Sequence, residues 1–229
     1  MNPIPDVPDP ERYTDSSFID SGFIMLENDD AFDICMQYPL LGMDNAEGEC
    51  FVRKEVYELL KKAAAGLPEG HRFRLLDAWR PFALQKELYE DYSEDIIKQF
   101  GLGDRSEEYR NAFIRKFVSD PVPDTEIPPV HTTGGAVDIT IIGPDGAELD
   151  MGSGFDEFSD RTYTAFYEAS DNETVKNNRR LLYSIMTDAG FTNLPSEWWH
   201  YDYGDRFWAY YNSKPALYRG VFTRDGLKV

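Results

Sequence analysis

Apolar residues recur every three or four positions in four stretches of the chain. This spacing predicts helices over residues 53–66, 80–92, 106–118 and 172–191. Gly66 and Gly190 stand where helices commonly end, Ser106 stands where one commonly begins, and Pro81 is tolerated in a first helical turn. Each of the four predicted helices therefore shows helical hydrophobic periodicity and has a residue that marks a boundary.

Alternating and β-branched stretches predict strands over residues 71–79 and 136–142, and a bent strand or strand pair over 18–26. The aromatic-rich segment 197–204 is also β-like. A turn signal at 143–146 predicts that residues 147–151 return as a hairpin partner. Helices interleaved with hairpins and irregular loops favour an α+β fold with a central, mainly antiparallel sheet.

The length and composition indicate one large domain, or a domain with long insertions. Hydrophobic residues make up 41% of the 229 positions and aromatic residues 14%, which suffices for a substantial core. Prolines at positions 3, 5, 8 and 10 disfavour regular structure near the start. We therefore expect an extended N-terminal arm over residues 1–17 and a single domain over 18–229.

The charge balance argues against two classes of partner. The chain has 42 acidic and 23 basic residues, a net charge of −19, whereas nucleic acids and anionic membranes attract basic surfaces. No apolar run reaches transmembrane length, and the start lacks the pattern of a signal peptide, so a cytoplasmic location is expected. Cys35 and Cys50 form no metal-type cluster and are expected to be free thiols.

The stretch VHTTGGAVDIT, residues 130–140, contains one of only three histidines. His131 alone could be an ordinary loop histidine. Two glycines, however, allow a sharp turn beside it, and Thr132 and Thr133 offer hydrogen bonds around it. Asp138 lies within an apolar strand, where alternation separates it from Val137 and Ile139. A carboxylate in such a strand needs a positive partner, and a metal ion would supply one.

A second constellation occurs in SEWWHYDYG, residues 196–204, where Glu197 and His200 are three positions apart. This segment could be an aromatic core strand with incidental polar residues. In a regular strand, residues three apart face opposite ways. Both side chains can serve one site only if Glu197 lies in a turn after Pro195 and the strand begins beyond it.

Together, His131, Asp138 and His200 supply two imidazoles and a carboxylate, a ligand set typical of catalytic zinc with an open fourth position. We therefore expect one Zn²⁺ per chain. Glu197 is then a spare carboxylate that can accept a proton from water. The remaining histidine, His71, begins a predicted strand and is interpreted as structural or exposed.

These motifs resemble the zinc D-alanyl-D-alanine dipeptidases, which include the vancomycin-resistance dipeptidases and belong to the zinc DD-peptidases related to the hedgehog fold. The resemblance begins with HTTGGAVD and EWWH. It extends to DAWRP (77–81), DMGSGFDEF (150–158) and NRRLLYSIMTDAGF (178–191), all in the family's order. The resemblance spans residues 50–204 and implies a small α+β domain with zinc in a narrow cavity.

The resemblance also implies a role for each matching residue. The zinc ligands would be His131, Asp138 and His200, the catalytic base Glu197, the oxyanion-stabilising arginine Arg80, and the carboxylate that binds the substrate's amino terminus Asp156. Pro129 departs from the family, which often has serine at that position, and this affects the expected dipeptide preference.

Taken on their own, Arg80 and Asp156 also have simpler interpretations. Arg80 could form a surface salt bridge with Asp77 or Glu87, and Asp156 could make a local turn bond.

The expected function is zinc-dependent hydrolysis of D-Ala-D-Ala or a similar small D,D-dipeptide, with the dipeptide as the partner. Two alternatives stay open. One is a peptidoglycan DD-/LD-carboxypeptidase or endopeptidase with the same zinc site. The other is a zinc-binding recognition domain without catalysis, against which the presence of Glu197 argues. The oligomeric state is not predicted.

Overall fold

The computed structural model describes all residues from 1 to 229, and its centre is a five-stranded sheet in the order β2-β4-β5-β7-β6. The five strands are β2 (Phe32–Ile34), β4 (Arg72–Asp77), β5 (Ala136–Ile142), β6 (Thr192–Asn193) and β7 (His200–Asp202). Only the β2–β4 pair is parallel. The predicted α+β fold with a mainly antiparallel sheet is therefore confirmed.

The other elements surround this sheet. Strands β1 (Phe23–Leu26) and β3 (Cys50–Arg53) form a separate antiparallel pair. The helices are α1 (Gln37–Leu40), α2 (Lys54–Ala64), α3 (Phe82–Gln99), α4 (Glu107–Ile114), α5 (Glu173–Ala189) and α6 (Arg206–Asn212). None of the helices combines the length and apolar character that crossing a membrane requires.

The main core lies between the sheet and helices α2 and α5. Val137, Ile139 and Ile141 of β5 are fully buried there together with Leu60 of α2 and Met186 of α5. All seven residues of β5 are buried, so both faces of this strand are covered. Alternation places Asp138 opposite the apolar core, on the face that forms the site described below.

The long periodic elements agree with the sequence, and β4 and β7 lie within the predicted segments 71–79 and 197–204, but most of the other short elements were not predicted. All four predicted helices are present, although α3 continues beyond the predicted end at 92 to Gln99 and α4 stops at Ile114 instead of 118. Ser106 caps α4 by accepting the Tyr109 N–H, as expected. Of residues 18–26, only 23–26 form a strand.

The predicted hairpin partner over 147–151 is present only in part. The chain turns back after β5, and the N–H groups of Gly143 and Leu149 donate to the carbonyls of Ala147 (2.8 Å) and Ile141 (2.9 Å). The segment nevertheless forms only an isolated antiparallel bridge, between Glu148 and Ile142, and no strand. Strands β2, β3 and β6 and helices α1 and α6 were not predicted, and each has seven residues or fewer. Cys35 and Cys50 are free thiols, as predicted.

Residues 1–17 contain neither helix nor strand apart from an isolated bridge between Ser16 and Ala216. Ile4 is nevertheless buried, so this segment lies against the rest of the protein. The division into an arm over 1–17 and a single domain over 18–229 stays a prediction.

A buried arginine on α5 fixes the long loop that follows β5. Arg179 is 2% exposed and donates hydrogen bonds to the carbonyls of Met151 (2.7 Å), Tyr163 (2.6 Å) and Arg161 (2.6 Å). Its guanidinium also lies 4.7 Å from the centre of the Tyr167 ring. Met151 and Tyr163 lie in irregular backbone, and Arg161 lies in a three-residue 3-10 turn. Arg179 therefore takes the place of the partners that a longer helix or a strand would give these carbonyls.

We predict that Arg179→Leu lowers the melting temperature by about 6–12 °C. The substitution leaves three carbonyls without their donors, a loss of about 3 kcal/mol or more, and each kcal/mol shifts a chain of this size by about 2–4 °C. The matched control is Arg180→Leu, since Arg180 pairs with one partly exposed carboxylate, Glu168. Differential scanning calorimetry should show a much smaller shift for the control, and equal shifts would contradict the proposed role of Arg179.

Candidate metal centre and pocket

His131 lies in a four-residue 3-10 turn that leads into β5. At the end of this turn Gly134 has a φ of 72°, and an added Cβ would lie 2.3 Å from the Phe23 ring. Any other residue there would be strained as well as crowded. The Arg53 side chain donates to the Thr133 carbonyl at 2.6 Å. The turn is therefore fixed from both sides.

The two threonines of this turn do not support the imidazole directly. The Thr132 hydroxyl donates to the carbonyl of Pro129 at 2.7 Å, and the Thr133 hydroxyl donates to that of Val130 at 2.6 Å. The expectation that they form hydrogen bonds around His131 is wrong. They stabilise the backbone on which His131 stands.

Three predicted ligands meet in the interior. Asp138 of β5 lies directly opposite His200 of β7 in the strand register. The His200 Nδ1 is 3.0 Å from the Asp138 Oδ1 and 3.2 Å from the Nε2 of His131. All three residues are buried, and one candidate ligand atom from each lies within 4.8 Å of the others.

The outward-facing nitrogen of each histidine has a hydrogen-bond acceptor. His131 Nδ1 lies 2.9 Å from the Ala78 carbonyl, and His200 Nε2 lies 2.8 Å from Asp202 Oδ1. A carbonyl and a carboxylate can only accept, so these nitrogens carry the protons. In neutral imidazoles the two inward-facing nitrogens are then acceptors. Metal-binding histidines are oriented in this way in known sites.

Two nitrogen lone pairs and the Asp138 carboxylate therefore point at one small buried space, which requires positive charge. Burial lowers the pKa of His200, but Asp202 and Asp138 outweigh that effect and the net pKa is raised. Burial would raise the pKa of Asp138, but the two histidines keep it below its usual range. This set of donors fits a divalent zinc ion.

Glu197 stands beside this cluster. The backbone N–H of Glu197 donates to the Leu194 carbonyl at 3.0 Å, which closes a turn, and β7 begins at His200. The predicted turn at Glu197 is thus present. A Glu197 oxygen lies 3.8 Å from His200 Nδ1, and 22% of the side chain is exposed. Burial raises the pKa of Glu197 to about 8, with Asp138 adding to the rise.

Arg80 is a buried residue and not part of a surface salt bridge. Its guanidinium donates to Asp77 Oδ2 (2.9 Å from Nε) and to Gln85 Oε1 (2.8 Å from Nη1). The Arg80 Nη2 also lies 3.9 Å from Asp138 Oδ2. Glu87, the other candidate partner, instead accepts bonds from the 44–45 backbone. Arg80 is therefore fixed beside the ligand cluster.

Asp156 also faces the same space. It is one of two non-glycine residues with positive φ, at 54°. Its Oδ2 accepts hydrogen bonds from the hydroxyls of Tyr92 at 2.7 Å and Tyr38 at 2.9 Å, while Tyr38 accepts one from Arg80. Burial, followed by the charge of Asp138, raises the pKa of Asp156 to about 6. No protein donor contacts its Oδ1, which differs from the simple turn bond that was the alternative.

One narrow pocket joins all six predicted site residues. Its volume is about 480 Å³ including its open mouth. Polar groups occupy one side, and apolar side chains complete the lining: Leu88, Phe117, Val118, Val130, Leu194 and Phe207. Pro129 also lies on this wall, at the position where the family often has serine. His71 lies outside, with its Nδ1 3.1 Å from the Glu69 carbonyl.

Several residues of the site were missed by sequence reasoning. Asp202 stands two positions after His200 and so shares its strand face, a spacing that could have indicated it. Tyr38 and Tyr92 are 118 and 64 positions from Asp156. No local pattern points to these tyrosines.

Comparison with known proteins gives a consistent result. Residues 41–216 match the peptidase M15 family model described as D-ala-D-ala dipeptidase. The D-alanyl-D-alanine dipeptidase of Escherichia coli (strain K12) is 41% identical over 157 residues, covering 68% of each chain. That of Synechocystis sp. is 34% identical over 155 residues, covering 61% of this chain and 63% of the relative, so just under two thirds of that protein is matched.

A solved structure shows a weaker likeness. A Zn(II) complex of a mutant vancomycin resistance D,D-pentapeptidase, VanY, has a TM-score of 0.42 and 14% identity, over 76% of this chain and 85% of that one. This similarity is too low to carry an argument. The family match, by contrast, spans most of the chain and includes all of the residues that form the metal cluster. The chain therefore belongs to the D-ala-D-ala dipeptidase family of M15 peptidases.

Proposed function

We propose that this protein is a zinc-dependent dipeptidase that hydrolyses D-Ala-D-Ala or a similar small D,D-dipeptide. The observation that carries the proposal is the buried His131–Asp138–His200 cluster with the carboxylate of Glu197 3.8 Å from His200 Nδ1. A metal site that served only structure would need no further carboxylate facing its ligands. The names of the family and of its relatives agree with this activity.

The three cluster residues would hold the zinc, and Ala78 and Asp202 would orient the two imidazoles. A zinc ion bound there would lower the pKa of a coordinated water to about 7 and polarise the peptide carbonyl. The ligand side chains are already in place and buried, so the protein would bind the metal without a large rearrangement.

Glu197 would accept the proton of the attacking water and return it to the leaving amine. A carboxylate with a raised pKa is a stronger proton acceptor than an exposed glutamate, and the nearby cationic centre favours its ionised form. The exposed part of the side chain belongs to the pocket wall, where a substrate would lie.

Arg80 would offset the negative charge that develops on the carbonyl oxygen during the attack. Asp77 and Gln85 already hold its guanidinium, so little reorganisation is needed when that charge appears. Preorganised donors of this kind contribute roughly 10²–10³-fold to turnover.

Asp156 would bind the protonated amino terminus of the dipeptide. Its Oδ2 is already occupied by two tyrosine hydroxyls, which leaves Oδ1 for the substrate. An ammonium that must reach Asp156 while the peptide bond lies beside Glu197 limits the substrate's length on the amino side. The small pocket supports the same limit.

We predict that protein purified without added metal contains about one zinc per chain, because the ligand set is complete and buried. A strong chelator should abolish hydrolysis of D-Ala-D-Ala, and added zinc should restore it. Elemental analysis measures the metal directly. Less than about half an equivalent of any transition metal, with activity unaffected by the chelator, would end the metallopeptidase proposal.

We predict that Glu197→Gln retains the zinc but lowers kcat by about 10²–10⁴-fold, because glutamine preserves the shape and loses the proton acceptor. Steady-state kinetics and metal analysis are measured on the same preparation. Activity within about tenfold of the unaltered protein would place the base elsewhere. Loss of the metal would identify Glu197 as a ligand.

We predict that free D-Ala-D-Ala is cleaved at least about a hundredfold faster, in kcat/KM, than its N-acetyl form. Acetylation removes the ammonium and leaves Asp156 without its partner, and a hundredfold corresponds to about 2.7 kcal/mol. Asp156→Ala should narrow the difference mainly by slowing the free dipeptide. The control is Asp160→Ala, because Asp160 is an exposed residue of the same loop, and this variant should leave the difference between the two substrates unchanged. Equal rates on both substrates would favour a carboxypeptidase.

A further inference from the structure

The carboxylate of Glu197 has no hydrogen bond to any protein donor in the structure. Its only ion-pair contact within 4 Å is with the His200 Nδ1 at 3.8 Å, which is beyond hydrogen-bonding distance. The position of the carboxylate therefore depends on the backbone that carries it. That backbone is the turn from Leu194 to Glu197, which is irregular and has no ladder of strand bonds.

Several hydrogen bonds hold this turn from inside the domain, including those of the Leu194 N–H to the His200 carbonyl and of the His200 N–H to the Glu197 carbonyl. The Glu197 N–H donates to the Leu194 carbonyl at 3.0 Å, and the Thr164 N–H donates to the Pro195 carbonyl at 2.8 Å. The Asn193 side chain donates to the Glu197 carbonyl at 3.0 Å. None of these satisfies the N–H of Ser196, the residue directly before Glu197.

The partner of that N–H comes from the other end of the chain. Asp9 Oδ1 accepts the Ser196 N–H at 3.0 Å, across 187 positions in sequence. Ser196 is 5% exposed, so its amide has little access to water. A buried amide without a partner is costly, and the turn would have to shift to reach another acceptor or water if Asp9 were absent.

The arm is fastened on both sides of Asp9. On the N-terminal side, the buried Ile4 donates its N–H to Glu168 Oε1 at 3.1 Å. Next to Asp9, the Pro8 carbonyl accepts the Tyr211 hydroxyl at 2.8 Å. On the C-terminal side, the bonds of residues 15–17 to Ala216 hold the chain. Asp9 is therefore presented to the turn by a fixed segment.

We propose that Asp9 is a positioning residue that holds the Leu194–Glu197 turn, and with it the carboxylate of Glu197, in the geometry needed for proton transfer. This inference rests on the proposed function. The arm lies outside the residues 41–216 that match the family. The family match therefore does not include this contact, which acts through the backbone of the turn without touching the substrate.

The experiment compares Asp9→Ala, Asp9→Asn and Asp6→Ala in the full-length protein. Asparagine keeps an oxygen that can accept the Ser196 N–H. Asp6→Ala removes the same charge from the same arm, at a side chain that makes no hydrogen bond in the structure. Kinetics on D-Ala-D-Ala, zinc content and hydrogen–deuterium exchange of peptides covering residues 193–199 are measured for each.

We expect Asp9→Ala to lower kcat by about tenfold, while KM stays within about twofold and the zinc content is unchanged. A misplaced base reduces stabilisation of the transition state without weakening substrate binding. Exchange of the 193–199 peptide should become faster. Asp9→Asn should stay within about threefold of the unaltered protein in kcat, and Asp6→Ala should change neither measurement.

Two results would overturn the inference. One is unchanged exchange of the 193–199 peptide in Asp9→Ala, and the other is a kcat loss in Asp6→Ala as large as in Asp9→Ala. Faster exchange with kcat unaltered would also contradict a role in positioning the base. If the unaltered protein did not cleave D-Ala-D-Ala at all, the proposed function would fail, while the exchange data would still decide whether Asp9 holds the turn.

Discussion

Three hydrogen-bond acceptors converge on one buried point between β5, β7 and the turn before β5, and no protein donor lies between them. The nitrogens of His131 and His200 and the carboxylate of Asp138 are too close together to be stable there without positive charge. Sheet register, the Ala78 carbonyl and Asp202 all fix this arrangement. The surrounding fold therefore requires a cation at this point.

Charges of alternating sign extend outward from that point. Arg80 lies between Asp77 and Asp138, and through the Tyr38 hydroxyl it is connected to Asp156. A zwitterionic dipeptide has one charge of each sign at its ends, and this pocket offers groups of both signs. The net charge of −19 therefore says little about the substrate, because the local order of charges decides what binds.

The sequence predicted those parts of the fold and site whose signals are local. Helix α5 and strand β5 are long and periodic, so their hydrophobic patterns can be distinguished from a chance arrangement of residues. Strand β6 has only two residues and therefore no detectable period. The turn signal at 143–146 was correct, but residues 147–151 form only an isolated bridge to β5, and the Met151 carbonyl instead accepts a hydrogen bond from Arg179. A local turn signal predicts the reversal of the chain but not how far the returning segment pairs with the sheet.

The same division between local and long-range signals explains which site residues could be predicted from the sequence. His131 and Asp138 flank one glycine turn, and Glu197 and His200 flank one strand start, so each pair forms a local motif. The three-residue spacing of Glu197 and His200 would point their side chains apart in a strand, and it serves one site only because a turn precedes β7. Part of what stabilises that turn is distant in sequence, since Thr164 and Asp9 bond to its backbone. A motif can therefore predict the proposed base, Glu197, but the position of its carboxylate also depends on contacts that no motif contains.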